Sequence, residues 1–503
     1  MPSYESYQRT SGAGKKPKSG QSLGQLARMP RRSFKAGQQS NQTHGWTSSP
    51  APLDKGLEQH LSRIRARSRD LSLNNDYGRK FIHMARAHVV GHNGIALQSR
   101  LRDRQGKLDV ADNTDIEQAF IRWGRPGNAD ATGRLSWWDC QRMFIQTVAV
   151  DGECFVRFRR RGPFGFQLQF LDSETIPTDL KFTAKNGHQV FQGIEYNSIG
   201  RPVAYYQRTS SRREQYRTNT RLLRIPASEM LHCFISEQVS QGRGFPWMAS
   251  AMLRMNMLVD YEETELVASQ VGSSKMAFIE RNNSGDGWDG DGSASDYDDL
   301  VSEAEPGAFE HIPHGSKVHE FNPNHPSTAF KDFVSASLRG AASGLGVSYN
   351  TLANDLSDVN FSSMRHGAHE EREIWMSLQK WMITYFCTPI YERWLMGASL
   401  TNQVAVPFAV GTAEFPHSWQ PRRWGAVDPL KESQTNANAL AMRITSRSQI
   451  LRDAGFDPLE VWQEIADETR ILSEMGINPE AIPYGTPPES EATDPVSDSA
   501  SND

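Results

Sequence analysis

Four cysteines, Cys140, Cys154, Cys233 and Cys387, lie far apart and form no CxxC pair. That spacing argues against a zinc site and against a disulfide framework. His83, His88 and His92 lie close together, but no acidic or sulfur partner is spaced with them to complete a metal shell. His366, His369, Glu370 and Glu373 share one expected helix. Their order, His-x-x-His-Glu, is neither the HExxH zinc motif nor its inverse, so they read as a solvated face. His311, His314, His319 and His325 sit in a Pro-containing stretch and read as surface or strand-edge residues. The run from Asp289 fails the calcium-loop pattern, because Ala294 stands at the sixth position and Leu300 at the twelfth. Nothing here calls for a metal or a cofactor.

Phosphate and acyl chemistry fare no better. Gly12 to Lys16 lacks the spacing of a phosphate-binding loop, and Gly242-Arg-Gly244 is not followed by the third glycine of a dinucleotide site. Ser343 lies in Ala-Ala-Ser-Gly-Leu and not in GxSxG. A triad is assembled in space and not in sequence. One enzymatic reading therefore stays open: a metal-dependent nuclease with Asp355 and Asp358 as its first suspects.

The elements that must hold these residues come next. A chain of 503 residues predicts about three domains. With 55 Lys+Arg against 59 Asp+Glu, the net charge is −4, so the chain is not basic throughout. No apolar run reaches the roughly 18 residues of a membrane helix, and the N-terminal residues lack the apolar core of a secretory signal. A protein with no membrane span is expected. The charge is polarised. Arg9, Lys15, Lys16, Lys18, Arg28, Arg31, Arg32 and Lys35 face a single acid, Glu5, in a Gly/Ser/Gln-rich stretch. Such a segment buries too little apolar surface to offset its ordering entropy, so residues 1–52 are expected to be a disordered basic arm.

Leu57, Leu61 and Ile64, then Phe81, Met84, Ala85 and His88, recur at helical spacing and predict helices between 53 and 101, ending near Gly91 and Gly94. Residues 140–235 are expected to be β-structure. Cys154, Val156 and Phe158 alternate with Phe155, Arg157 and Arg159; Asn186-Gly187 and Asn197 to Gly200 mark turns. Pro246 can open a helix from Trp247 to about Val271, some 37 Å long, with Met248, Met252, Met255, Val259, Glu262 and Leu266 on one side. An acidic Gly-rich insert follows, then a helix over about Thr328–Leu345 and a polar loop over Val347–Ser363. A long helix over about Ser362–Thr388 carries an apolar stripe of Ile374, Leu378, Trp381 and Tyr385, and Pro389 should kink or end it. Asp428-Pro429 and Asp457-Pro458 are helix starts, and Asp457 with Glu460 fits a capping box. The Pro/Ser/acid-rich residues 481–503 are expected to be disordered.

Several phrases occur in an order that resembles the lambda-like branch of bacteriophage portal proteins, over roughly residues 55–475. They are Arg67-Ser-Arg-Asp-Leu71, Val150-Asp-Gly-Glu-Cys-Phe-Val-Arg157, Leu168-Gln-Phe-Leu-Asp172 and Gly193-Ile-Glu-Tyr196 with Gly200-Arg-Pro-Val-Ala-Tyr205. Ile225-Pro-Ala-Ser-Glu-Met-Leu-His232 before Gln241-Gly-Arg-Gly-Phe-Pro-Trp247 is the most specific pair. Val347 to Ser363 and Trp424 to Glu432 complete the set.

The resemblance implies an α+β portal fold that forms a ring, typically of twelve subunits, around a channel for double-stranded DNA. It implies N-terminal helices and a β-rich wing over 53–246, stem helices over 247–272 and 328–346, and an α/β clip over 273–327. A tunnel loop over 347–363, a long wing helix and connecting segment over 364–427, and a helical crown over 428–480 follow. The implied partners are DNA without sequence preference, the terminase large subunit, the major capsid protein and head-completion or tail adaptor proteins. The implied place is the capsid portal vertex, and the host cytoplasm during assembly. No catalysis is implied. A channel dense in cations would grip DNA through counterion release. The loop 347–363 has no Lys or Arg, so Asn354, Ser357 and Asn360 are expected to touch phosphates briefly, with Lys331, Arg339 and Arg365 as sparse positive rings or inter-subunit ion pairs. Asp286, Asp289, Asp291, Asp296, Asp298 and Asp299 are expected to form a clip docking surface, with a non-stick rim or a solvated acidic loop as the alternatives. Another capsid adaptor protein is the remaining alternative; the paired helices argue against it.

Overall fold

The computed structural model describes residues 45, 50–102, 105–106, 109–209, 221–273, 277–281, 316–320, 330–357, 361–405, 415–425 and 429–476. The acidic docking residues, Asn360, Asp358 and the expected terminal arm and tail lie outside the described residues, apart from 45 and 50–52 of the arm. Contacts divide the chain into Met1–Pro52 and Leu53–Asp503, and every element below belongs to the second unit.

Helices α1 (Leu53–Asn74) and α2 (Asp76–Val89) follow the expected apolar spacing. Asn75 separates them and accepts from the backbone N–H of Gly78, satisfying a donor at the start of α2. Strand β1 (Ala96–Ser99) and helix α3 (Val110–Trp123) come next. Helix α4 (Trp137–Asp151) corrects the expectation that β-structure begins at 140. Its Val-Ala-Val run has strand character, but Trp137, Cys140, Phe144 and Val148 fall at helical spacing and are buried. A capping box between Ser136 and Asp139 opens it, and Gly152 closes it in the left-handed region at φ 88°.

Two antiparallel sheets follow. Strands β2 (Glu153–Arg159), β3 (Gln167–Leu171) and β9 (Met230–Phe234) pair in the order β3-β2-β9. Strands β4 (Phe182–Thr183), β5 (Gln189–Phe191), β6 (Ile194–Tyr196), β7 (Pro202–Thr209) and β8 (Arg221–Pro226) make a sequential meander, with the two turns where the sequence places them. Strand β2 alternates in sequence, yet Cys154, Phe155 and Val156 are all buried, because α4 and the meander cover opposite faces. Cys154 and Cys233 face each other across β2 and β9 as free thiols.

Helix α5 (Met252–Ser273) has 22 residues, about 33 Å. It starts later than the expected Trp247, because residues 247–251 wind down from Pro246 in tight turns, with the Ala249 N–H bonded to the Pro246 carbonyl. Strands β10 (Ala277–Arg281) and β11 (Ser316–Glu320) pair antiparallel, and helix α6 (Phe330–Leu345) follows. Helix α7 (Tyr349–Ala353) lies inside the stretch expected to be loop.

Helix α8 (Phe361–Met382) continues through a π-helical turn, Ile383–Cys387, into α9 (Thr388–Leu400). Pro389 therefore neither ends nor breaks the run. It takes an early position of α9, where its missing N–H is tolerated, and the wider π turn lies just before it. The apolar stripe is also displaced. Ile374 and Tyr385 are exposed, whereas Trp375, Met382 and Phe386 are buried together with polar Glu371 and Gln379. Gln379 is satisfied by the carbonyls of His88 and Arg422, so it can occupy the buried face. Strand β12 (His417–Gln420) returns to pair with β1. Helices α10 (Pro429–Ala441), α11 (Arg447–Ala454) and α12 (Pro458–Glu474) close the chain, and Asp457 caps α12 through the Leu459 N–H. An aromatic core joins α3, α4, β12 and the π turn. Trp137 stacks on Phe386 at 5.5 Å, and Phe120 meets Trp394 edge-on at 4.9 Å.

Candidate functional site

Two places gather the residues that the sequence singles out. The first is the junction where the sheets meet α1 and the lead-in to α5. Glu153, at the start of β2, is fully buried. It accepts from Arg243 at 2.6–3.0 Å, from the His232 Nε2 at 2.9 Å, from the Gly244 N–H at 3.1 Å, and from Arg65 on α1. Arg65 also donates to the Asp151 carbonyl, and Arg243 donates to the carbonyls of Gln192 and Ile176. Burial alone would raise the Glu153 pKa. The Arg243 and Arg65 guanidiniums and the His232 ring outweigh burial and hold the carboxyl well below its usual range. Burial pushes His232 the other way, toward the neutral ring, although Glu153 opposes that shift.

Two glycines let this junction close. A Cβ at Gly152 would lie 2.1 Å from the Phe245 backbone, and one at Gly244 would lie 2.1 Å from the Gly152 oxygen. The phrases Val150-Asp-Gly-Glu and Gln241-Gly-Arg-Gly-Phe-Pro thus meet backbone to backbone. Both phrases stand out in the sequence, but Arg65, Glu153, His232 and Arg243 do not stand out there as partners. The available signal is a lone arginine between two glycines, with an acid beside a glycine elsewhere.

The second place is the stem pair and the segment behind it. The elbow at Asn75 holds α5, since the Asn75 amide donates to the Met255 carbonyl and the Tyr77 hydroxyl donates to Glu262. Burial and Glu262 raise the Tyr77 pKa, so the phenol stays protonated. Helix α6 meets the lead-in to α5 through the Ser250 hydroxyl on the Gly344 carbonyl, and α5 itself through Tyr261 against Phe330 and Phe333. Met248, Met252 and Met255 are buried as the stripe requires. Leu266, assigned to the same stripe, is exposed, because it lies beyond the point where the other helices cover α5. Leu253, Met257 and Val267 are also exposed; at roughly 100° per residue they share one uncovered side of α5.

The expected phosphate contacts divide. Asn354 ends α7 in the left-handed region at φ 53°, and its side chain accepts from the Lys80 ammonium at 2.8 Å. Ser357 donates to Asp355 through its hydroxyl and its N–H, and Tyr349 donates to the same carboxylate at 2.8 Å. These bonds, the Ser357 hydroxyl first, hold the Asp355 pKa near about 2. Arg339 lies over the Tyr349 ring at 5.1 Å, and Lys331 is exposed at the start of α6. Arg365 falls on α8, with its side chain outside the described residues. Thr351 and Trp375 both donate to Glu371, which pins α7 to α8.

The histidines take structural places. His88 stacks between Trp375 and Trp424 and accepts from the Trp424 ring N–H at 3.0 Å. Burial, helped by Arg422, lowers its pKa and keeps the ring neutral. His366 is exposed and pairs with Glu370 at 3.4 Å. Among the described residues, no three His, Cys, Asp or Glu side chains converge as a metal shell, and no helix is long and apolar enough to cross a membrane.

The family profile described as phage portal protein, lambda family, matches residues 39–379. The chain belongs to that portal family. A probable portal protein of Halomonas phage phiHAP-1 is 31% identical over 462 residues, covering 90% of this chain and 89% of its own. Portal protein B of Escherichia phage lambda is 22% identical, covering 88% and 89%. Among solved structures, the neck of an empty GTA particle superposes with a TM-score of 0.48 at 14% identity, over 80% of this chain and 94% of that one. So loose a superposition carries no argument. The α+β architecture rests on this chain's own helices and antiparallel sheets. Portal proteins are structural components of the phage particle and not enzymes, and this portal chain is one of them.

Proposed function

We propose that this portal chain assembles, as a ring of about twelve copies, at one capsid vertex and conducts double-stranded DNA during packaging and ejection. The observation that carries the reading is the match to portal proteins along about nine-tenths of the chain. The two sheets, with α1 to α4 and the run α8–α9, are assigned to the wing. Helices α5 and α6 are the stem, β10 and β11 with the acidic insert are the clip, 347–363 is the tunnel loop, and α10 to α12 are the crown. The uncovered side of α5, with Leu253, Met257 and Val267, supports the ring, since a neighbouring copy would bury it.

The loop supports a conduit that does not hold its cargo. Between Val347 and Ser363 there is no cation, and the nearby Lys80 already donates to Asn354. Ser357, Asn360 and the side-chain N–H groups of Asn354 would meet phosphates briefly, while Lys331, Arg339 and Arg365 supply sparse positive charge. The clip acids Asp286 to Asp299 would dock the terminase large subunit and later the head-completion proteins, and the wing would face the major capsid protein. Replacing 354–360 by Gly and Ser is expected to leave rings intact and lower the yield of DNA-filled heads; normal filling would overturn the loop's role. Deleting 286–299 is expected to weaken a salt-sensitive terminase contact. Unchanged docking at every salt concentration would remove that assignment.

A further inference from the structure

A cavity of about 470 Å³ opens between α2, α4 and the segment after β12. Its wall carries Arg86, Arg142, Arg422, His83, His92 and Trp138, and no carboxylate. We propose that this cavity is a phosphate-binding site, and that the phosphate belongs to nucleic acid. The choice of nucleic acid rests on the conduit reading; the phosphate site does not.

The cavity is built and not incidental. Arg142 lies over the Trp138 ring at 4.2 Å, and the Trp138 ring N–H is fixed by the Gly91 carbonyl at 3.2 Å. Gly91 has φ 75°, and a Cβ there would press on the Arg422 stem at 2.8–3.0 Å. The glycine therefore lets Arg422 cross the end of α2, where its guanidinium donates to the Ala87 carbonyl. Part of that charge serves the negative end of the helix. Arg86, in the last turn of α2, shares that role, whereas Arg142, in the middle of α4, has no such duty. Arg86 donates to Gln146 at 3.2 Å, but its Nε is buried without a hydrogen-bond partner. Among the described residues, neither Arg86 nor Arg142 forms an ion pair with a carboxylate.

An unpartnered buried donor is costly, and Arg86 carries one beside the cavity it lines. Three guanidiniums on one wall exceed what a single carboxylate neutralises. They suit a phosphate, whose oxygens accept in the fork geometry of arginine. The volume also leaves room for the attached nucleoside beside the exposed histidines.

The test uses the full-length protein and three probes: a short labelled duplex across a salt series, thymidine 5′-monophosphate, and inorganic phosphate. Arg142→Gln and Arg86→Gln are each expected to weaken duplex binding about tenfold and to reduce the salt slope by about one contact. Arg142→Lys keeps the charge and should keep the slope, which separates a phosphate contact from a folding defect. If only the monophosphate and inorganic phosphate respond to the variants, the site stands and its nucleic-acid source is overturned. If none of the three probes responds, or if only an acidic peptide does, the proposal is overturned. A salt slope reduced by about one contact in variants whose rings and thermal melts match the parent protein supports it in full.

Discussion

The junction around Glu153 and the uncovered side of the stem are built on opposite rules. At the junction every charge has a partner inside the same chain. Glu153 is met by two arginines, a histidine and a backbone N–H, and two glycines bring the backbone segments together. Along α5 the reverse holds. Leu253, Met257 and Val267 face outward, and Leu253 is 73% exposed. One region is finished by folding, and the other has a surface that folding leaves uncovered. The stem helix is thus gripped at its root and offered to a partner along its length.

The comparison can be broken first at the glycines. Gly244→Ala places a methyl group against the Gly152 oxygen, and neither side can yield because both are backbone. The expected outcome is no soluble folded protein; a normal thermal melt of the variant would show that the junction is not tight. Next in size, Arg243→Met removes one side of a buried ion pair and should cost about 3–5 kcal/mol in denaturant unfolding. Combined with Glu153→Leu it should cost less than the sum of the two single changes, because the second removes the charge stranded by the first. Additive losses would argue against a shared cluster.

Acid should separate the regions too. Arg224 first, then the bonds from Asn186, His188 and Tyr206, holds the Glu195 pKa near about 2, and Glu153 is also held low. An unfolded glutamate titrates at about 4.3. These depressed groups therefore contribute stability above that value and lose it as pH falls through their folded values. The melting temperature is expected to drop between about pH 4.5 and pH 2, and Glu195→Gln should flatten that drop. Equal slopes in parent and variant would show that Glu195 does not carry this dependence. The smallest effect on stability is expected at the stem. Leu253→Glu with Met257→Glu should leave the single chain folded, within about 0.5 kcal/mol per site, while abolishing assembly. Rings that survive both charges would mean that this side of α5 faces solvent.

Much of this architecture is legible in the amino-acid sequence. Helical spacing marks α1 and α2, and Asn-Gly and the Asn197 to Gly200 turn place the meander. Helix α4 reads as strand because its β-branched run outweighs a capping box at Ser136. Apolar spacing alone misplaces the buried face of α8, because two of its buried positions are Glu371 and Gln379, whose polar atoms are satisfied by partners outside the helix or on its own next turn. The Glu153 junction is hidden in the sequence for a related reason. Its members stand at positions 65, 153, 232 and 243, and only the fold brings them together. Among the expected channel residues, Asn354 is a helix end held by Lys80, a role that its side-chain type permits but its neighbours in sequence do not announce.

Assembly into a ring around a channel is tested most directly by electron microscopy of the purified full-length protein. Closed rings of about twelve subunits with a central hole are expected, and they should be lost when Leu253 and Met257 become acidic. Monomers or compact dimers from the unaltered protein, under conditions where it is folded, would contradict the portal reading.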